Sequence, residues 1–284
     1  MDRFVVVTDS TANLPPELVS EYDVPMIPLT VHWGEETYLD GVSLDTPTFY
    51  KWLQEREAFP TTSQPSPGAF IEFFSNVAEK YETTNILGIF ISAELSGTLA
   101  SAIQAKNELP DLRIELVDSR STSMGLGMQV LTAARAAREG QPLEVVIERV
   151  LHIRDNMHII FAVDTLEYLH RGGRIGGAAR LLGTALNLKP VLHLEDGKVM
   201  PLEKVRKRRK SLQRVVDIVK ERVNGRRLVE VAIIHSQAGE DADMVEGWIK
   251  EAFAPEVMYN TILTPVVGTH AGPGTIGVAF YVVD

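Results

Sequence analysis

The sequence predicts an α/β protein of two domains, the first built on a mainly parallel sheet and the second on a mixed or antiparallel one. Three observations carry that prediction. Short β-branched runs alternate with helical patterns through residues 1–163, the alternation that produces parallel sheets. Three of those strand-to-helix junctions share one form, a polar cluster that includes Asp9, Ser96 or Asp118. Beyond Val163 the texture changes, and residues 189–194, the turn Glu195-Asp196-Gly197 and residues 198–202 form a hairpin signal. A chain of 284 residues can give each domain its own core. The expected domains are 1–163 and 164–284, with 61–82 a candidate to pack on the second.

The elements follow in order. Residues 4–7 form an apolar strand ending in Thr8-Asp9-Ser10-Thr11, and Pro15 and Pro16 suit the first turn of a helix running through Glu21. Residues 24–31 read as extended, and Trp33-Gly34-Glu35-Glu36 as a turn. A helix over 48–57 places Phe49, Trp52 and Leu53 on one face. Residues 59–68 carry Pro60, Pro65 and Pro67, which exclude regular structure and stiffen the backbone. Ser66 is a good N-cap with Pro67 behind it, opening a helix to about Lys80. Residues 86–91 are the apolar run of a buried strand, followed by Ser92, Ser96, Gly97 and Thr98 and a helix over 99–107.

A third strand, 113–117, ends in Asp118-Ser119-Arg120-Ser121-Thr122-Ser123 before helices over 125–138 and 143–156. A strand over 158–162 is expected to close the first domain. In the second, a short helix breaks into the basic turn Arg171-Gly172-Gly173-Arg174, and 178–188 reads as helical. After the hairpin come a helix over 211–224, a strand over 228–235 and a helix over 241–253. The glycine-rich turn 268–275 leads into the last strand, 277–282.

Composition excludes several classes. Hydrophobic residues at 45% and charged residues at 23% place the chain among soluble globular proteins. No apolar run approaches a membrane span, and the N-terminus reads as a strand rather than a signal peptide, so the expected location is cytoplasmic. The absence of cysteine rules out disulfides, thiolate catalysis and cysteine-based metal centres. A net charge of −10 argues against bulk attraction to nucleic acid. No phosphate-binding Gly-x-x-x-x-Gly-Lys-Ser/Thr loop occurs, Gly125-Leu126-Gly127 lacks the third glycine of a dinucleotide fingerprint, and no His-Glu-x-x-His is present. Neither a metal nor a cofactor is expected.

A polar turn between a strand and a helix gathers hydroxyls and unpartnered N–H groups at the carboxyl edge of a sheet, which suits an anion. Ser96 or Thr98 can equally cap its own helix. His270 lies in Gly268-Thr269-His270-Ala271-Gly272-Pro273-Gly274, where it is either an ordinary hydrogen-bonded loop residue or a functional one. Ser96 with His270 invites an alternative reading as a serine-type acyl hydrolase. Glu94-Leu95-Ser96-Gly97-Thr98 is no Gly-x-Ser-x-Gly elbow, however, and nothing singles out Asp9, Asp118 or Asp164 as a third member. Lys204 to Lys210 has six basic residues in seven. It reads as a solvated helix start, a contact for phosphate or an acidic protein, or a nucleic-acid patch, although no aromatics interleave for base stacking.

Taken together, Val7 to Pro15, Thr61 to Pro67, Ile91 to Thr98, Val117-Asp118-Ser119, Leu169 to Ile175, Leu188-Lys189-Pro190 and Gly268 to Gly274 resemble, in order and from end to end, the DegV family of bacterial fatty-acid-binding proteins. The resemblance implies two α/β domains with a long-chain fatty acid buried between them and no unaided catalysis. It implies that Thr62, Ser96 and His270 hold the carboxylate. Some members are the lipid-carrying subunit of a bacterial fatty acid kinase, whose separate ATP-binding subunit makes the acyl phosphate. Arg174 and Arg206 are the positions that the resemblance ties to that partner or its phosphate. Transient membrane contact for lipid exchange is implied as well, and nucleic-acid binding is not. At about 0.8 kcal/mol per buried methylene, a long tail contributes on the order of 10 kcal/mol. A hydrogen bond to a charged group nets about 1.5–3 kcal/mol. The tail therefore dominates affinity, and the polar residues orient the head.

Overall fold

The computed structural model describes residues 3–183 and 188–282. It divides into two compact units, Met1–Asp45 with Ala58–Asp155, and Thr46–Glu57 with Asn156–Asp284.

The first unit begins with β1 (Phe4–Asp9), α1 (Pro16–Tyr22), β2 (Met26–Ile27), β3 (Thr30–Trp33) and β4 (Glu36–Leu39). After an excursion, α2 (Thr46–Glu55), that belongs to the second unit, it resumes with β5 (Thr61–Ser63), α3 (Pro67–Tyr81) and β6 (Asn85–Phe90). It ends with α4 (Thr98–Asn107), β7 (Arg113–Asp118), α5 (Ser123–Arg138) and α6 (Leu143–Asp155). The main sheet has the order β2-β1-β6-β7 with every pair parallel, as predicted. From β1 the chain crosses to β2 on one side, and from β6 to β7 on the other. The order thus reverses between β1 and β6, where open parallel sheets take their ligands.

Phe70, Phe74 and Val77, spaced four and three residues apart on α3, form the buried stripe that docks on this sheet. The Phe70 and Phe90 rings meet edge to face at 5.2 Å. Ser66 Oγ accepts the Ala69 N–H at 3.1 Å and caps α3 as its spacing predicts. The segment 61–82 lies in the first unit. Residues 59–68 were expected to lack regular structure, yet Thr61–Ser63 pairs antiparallel with β3, completing a small sheet β4-β3-β5. Pro60 and Pro65 flank this short edge strand without entering it, so no ladder donor is lost.

The second unit contains α2 and, in order, β8 (Met157–Ala162), α7 (Glu167–Arg171), β9 (Val191–Glu195), β10 (Lys198–Glu203) and α8 (Arg208–Val223). Then come β11 (Glu230–His235), α9 (Gly239–Phe253), β12 (Val257–Ile262), α10 (Pro265–Ala271) and β13 (Ile276–Tyr281). Its sheet, β10-β9-β8-β13-β11-β12, is mixed: β11 and β12 run parallel and the other neighbours antiparallel. Buried residues of α8, among them Leu212, Val215 and Val219, and of α9, Ala242, Val245 and Ile249, join Val231, Ile233 and Val278 in one core. The hairpin turns at Asp196 and Gly197, both with positive φ (48° and 81°), as an Asp-Gly pair favours.

Three further expectations need correction, and one strand, β12, was not expected. β8 does not close the first sheet, because it pairs antiparallel with β13 and β9 and so belongs to the second. The run 178–188 is not one helix: a 3-10 turn spans Gly176–Leu181, and 184–187 lie outside the described residues. The strand β12 buries only Thr261 and has neither an alternating pattern nor a long apolar run, so its sequence gives no strand signal. His270 sits in the last turn of α10 rather than in a loop; Thr264 and Pro265 open that helix, and the glycines on either side hid it.

Candidate functional site

In the first unit the carboxyl ends of β1, β6 and β7 are bound to one another by side chains. Thr8 Oγ1 donates to the Ile89 carbonyl at 2.8 Å. Asp9 accepts the Thr11 N–H at 2.9 Å, the Thr11 hydroxyl at 2.5 Å and, across to the end of β6, the Ile91 N–H at 2.8 Å. From the other flank, Asp118 Oδ1 accepts the Arg120 N–H at 2.9 Å and the Ala93 N–H at 3.3 Å. The Ser92 N–H donates to the Ser121 carbonyl at 2.8 Å. The polar strand ends are thus chiefly clamps on the turn 91–98. Burial is the main effect on the Asp9 carboxyl and raises its pKa, against the lowering effect of its donors.

That turn presents Ser96, which is half-buried. Its hydroxyl shares a hydrogen bond with Thr98 Oγ1 at 2.8 Å and accepts the Thr98 N–H at 3.3 Å. Both are local contacts in the turn that leads into α4, whose N-cap is Gly97. A serine nucleophile needs a general base within hydrogen-bond reach, and the hydrolase alternative finds no support in these partners. Thr62, also half-buried, is the central residue of β5 and lies opposite Val31. The Gln64 side chain, two residues on, lies over Gly97, where an added Cβ would come within 2.8 Å of its amide nitrogen. Within this unit the structure therefore brings the Thr62 segment against the Ser96 turn.

His270, Arg174 and Arg206 belong to the second unit. The helix carrying His270 is seated on α2: Tyr50 Oη donates to the Leu263 carbonyl at 3.1 Å, and a Cβ at Gly268 would approach Phe49 Cε1 to 2.9 Å. Its far end is tied to β11, since Ser236 Oγ donates to the Gly272 carbonyl and accepts the Thr275 N–H at 3.2 Å. Burial, and then the positive charge of Arg174, push the His270 imidazole down to about 4. The ring is neutral at physiological pH, so one nitrogen donates and the other accepts.

Arg174 is half-buried beside His270, with its Nη1 donating to the Gly172 carbonyl at 2.8 Å. Arg206 is exposed immediately before α8. Within the basic run, Arg208 turns inward instead: Nε donates to Asp241 at 2.7 Å, and Nη1 lies 3.3 Å from Asp164, which Lys189 also meets at 3.2 Å. The exposed cations of the run are Lys204, Arg206, Lys207, Arg209 and Lys210. Sequence reasoning missed Gln64 and Ser236, whose roles arise from contacts between distant segments. Among the described residues, no group of three acidic, histidine or cysteine side chains could hold a metal ion. No helix among them is long and apolar enough to cross a membrane.

Fold and site together define a two-unit α/β protein whose first sheet gathers hydroxyls, clamped turns and a helix start at the carboxyl ends of its strands. The chain belongs to the DegV family. The family model, described as an uncharacterised protein of the DegV family, matches residues 3–283. A DegV domain-containing protein from Halalkalibacterium halodurans is 35% identical over 283 residues, 99% of each chain. A solved DegV family protein from Thermus thermophilus, described for its fatty acid binding, is similar with a TM-score of 0.93 and 35% identity over 99% of this chain and 100% of that one. A stearic-acid-binding protein from Eubacterium ventriosum is similar with a TM-score of 0.90 and 25% identity, over 98% of each chain.

Proposed function

We propose that this protein binds a long-chain fatty acid in the cytoplasm and carries it without unaided turnover. Thr62, Ser96 and His270 hold the carboxylate, and the acyl tail supplies most of the affinity. The observation that carries this reading is the full-length likeness to the fatty-acid-binding Thermus thermophilus protein. The chemistry of the three residues agrees with it: two hydroxyls and a neutral imidazole can each donate one hydrogen bond to a carboxylate. The acid is loaded by transient contact with a membrane surface. It is then presented to a separate ATP-dependent kinase subunit, which phosphorylates it to the acyl phosphate, with Arg174 and Arg206 serving that partner or its phosphate.

Native mass spectrometry of the purified protein, followed by organic extraction, tests the binding. A bound C18-class acid, or saturable uptake of stearate after delipidation, is expected; a protein that carries none and takes up none overturns the reading. Reconstitution with a candidate ATP-binding subunit tests the partnership separately, through formation of acyl phosphate.

A further inference from the structure

The two glycines of Arg171-Gly172-Gly173-Arg174 stand in different situations. Gly173 has φ +71° and open space where a Cβ would project, so its backbone conformation explains the glycine. Gly172 has φ −74° and ψ −8°, which any L residue adopts, so conformation explains nothing there. Space does. A Cβ on Gly172 would overlap His270 Nδ1, lie 2.9 Å from His270 Cε1 and lie 3.1 Å from the Tyr168 carbonyl oxygen.

We propose that Gly172 is a positioning residue for His270: its bare Cα is the seat against which the imidazole rests, and that seat selects which ring nitrogen meets the ligand. This inference rests on the reading that His270 holds the head group. The backbone at 172 cannot retreat easily, since its N–H donates to the Tyr168 carbonyl at 2.9 Å and its carbonyl accepts Arg174 Nη1 at 2.8 Å. The end of α10 is equally fixed, by the Gly272 N–H to the Gly268 carbonyl at 2.9 Å and by Ser236 on the Gly272 carbonyl. Tyr168 fills the space above Gly272, where a Cβ would come within 3.0 Å of the Tyr168 Cβ. A methyl group at 172 must therefore swing the ring. Nδ1 and Cε1 are the ring atoms nearest Gly172, which leaves Nε2, the ring nitrogen on the far side of Cε1, for the carboxylate. Arg174, bonded to the same carbonyl, places its charge beside the ring and favours the neutral imidazole there.

The test compares Gly172→Ala, His270→Ala and the double variant by imidazole ¹⁵N NMR and by stearate titration of the delipidated protein. Gly172→Ala is expected to move the His270 ring resonances while those of His158, His193 and His235 stay in place. It is expected to weaken stearate binding by about tenfold or more, as much as His270→Ala does. The double variant should bind no worse than His270→Ala. Unchanged His270 resonances in Gly172→Ala, or losses that add in the double variant, overturn the proposal. If Gly172→Ala fails to fold, the double variant, with no ring to strike, is expected to regain folding, and its failure to do so overturns the proposal as well. Wild-type affinity in His270→Ala would instead sink the head-group reading, while the ring resonances of Gly172→Ala still decide the positioning.

Discussion

Asp9 Oδ2 accepts the backbone N–H of Ile91 at 2.8 Å, joining the end of the first strand to the start of the turn that carries Ser96. Asp118 holds the same turn from the opposite side through the Ala93 N–H. Either carboxylate could have been read as a catalytic partner, yet each is engaged with backbone donors.

Asp9→Ala leaves the Ile91 and Thr11 donors without their acceptor in a buried site. A loss of about 1–3 kcal/mol of stability is expected, read from the urea midpoint at neutral pH. An unchanged midpoint would show that the clamp carries no weight.

The head-group residues and the exposed arginine should separate. Thr62→Ala and His270→Ala are each expected to weaken stearate binding by the worth of one charge-assisted hydrogen bond, about 1.5–3 kcal/mol, without abolishing it. Ser96→Ala should add about 1 kcal/mol of lost stability, because the Ser96 hydroxyl also holds the Thr98 hydroxyl and N–H at the start of α4. Arg206→Ala is expected to bind stearate as the wild type does and to lower acyl-phosphate formation with a cognate subunit. Isothermal titration and a reconstituted kinase assay read the two effects independently.

Acid should destabilise the fold before any carboxylate of ordinary pKa titrates. Burial, ahead of the charges of Arg222 and Arg226, brings His158 to about 4, and His270 is likewise at about 4, both from 6.5. A histidine with a depressed folded pKa is protonated first in the unfolded chain, so its stabilisation is complete above about 6.5 and is lost as pH falls toward about 4. The raised Asp9 acts in the opposite sense, losing stabilisation as pH rises through its folded value. Urea midpoints should therefore fall from pH 7 to pH 4. His158→Phe, in a site where the ring already packs tilted against Phe280 at 5.1 Å, should make that fall shallower. An equal slope in wild type and variant would contradict the assignment.

Arg174→Ala removes one of the two causes that lower His270. The imidazole pKa is expected to rise from about 4 but to stay below 6.5, because burial, the larger cause, remains. An NMR titration of the ring gives the answer directly.

Phe49 and Tyr50 anchor α2 in the second unit, fully buried with their rings 4.9 Å apart. Phe49→Ala should cost about 3–5 kcal/mol and expose α2 to limited proteolysis. Cleavage confined to other segments would mean that α2 is held elsewhere.

The sequence by itself determined the parallel first sheet, the Asp-Gly hairpin, the capped helix behind Ser66 and the family, because each is a local pattern or an ordered set of motifs. It also singled out Ser96 and His270 as candidates from their polar and glycine-rich turns, and Thr62 only through the resemblance. What it could not yield depended on partners far along the chain. Strand β8 reads the same whichever sheet it joins, and only pairing with β13 and β9 decided that. The helix α2 lies between two strands of the first unit in sequence, yet Tyr50 and Gly268, 218 positions apart by number, place it in the second. His270 looked like a loop residue because its neighbours are glycines. The tertiary structure shows those glycines as room for side chains from elsewhere: Tyr50 on Gly268, Tyr168 on Gly272, and the imidazole itself on Gly172. Close approach between distant backbones leaves a glycine in the sequence, but it does not record which residue fills the space.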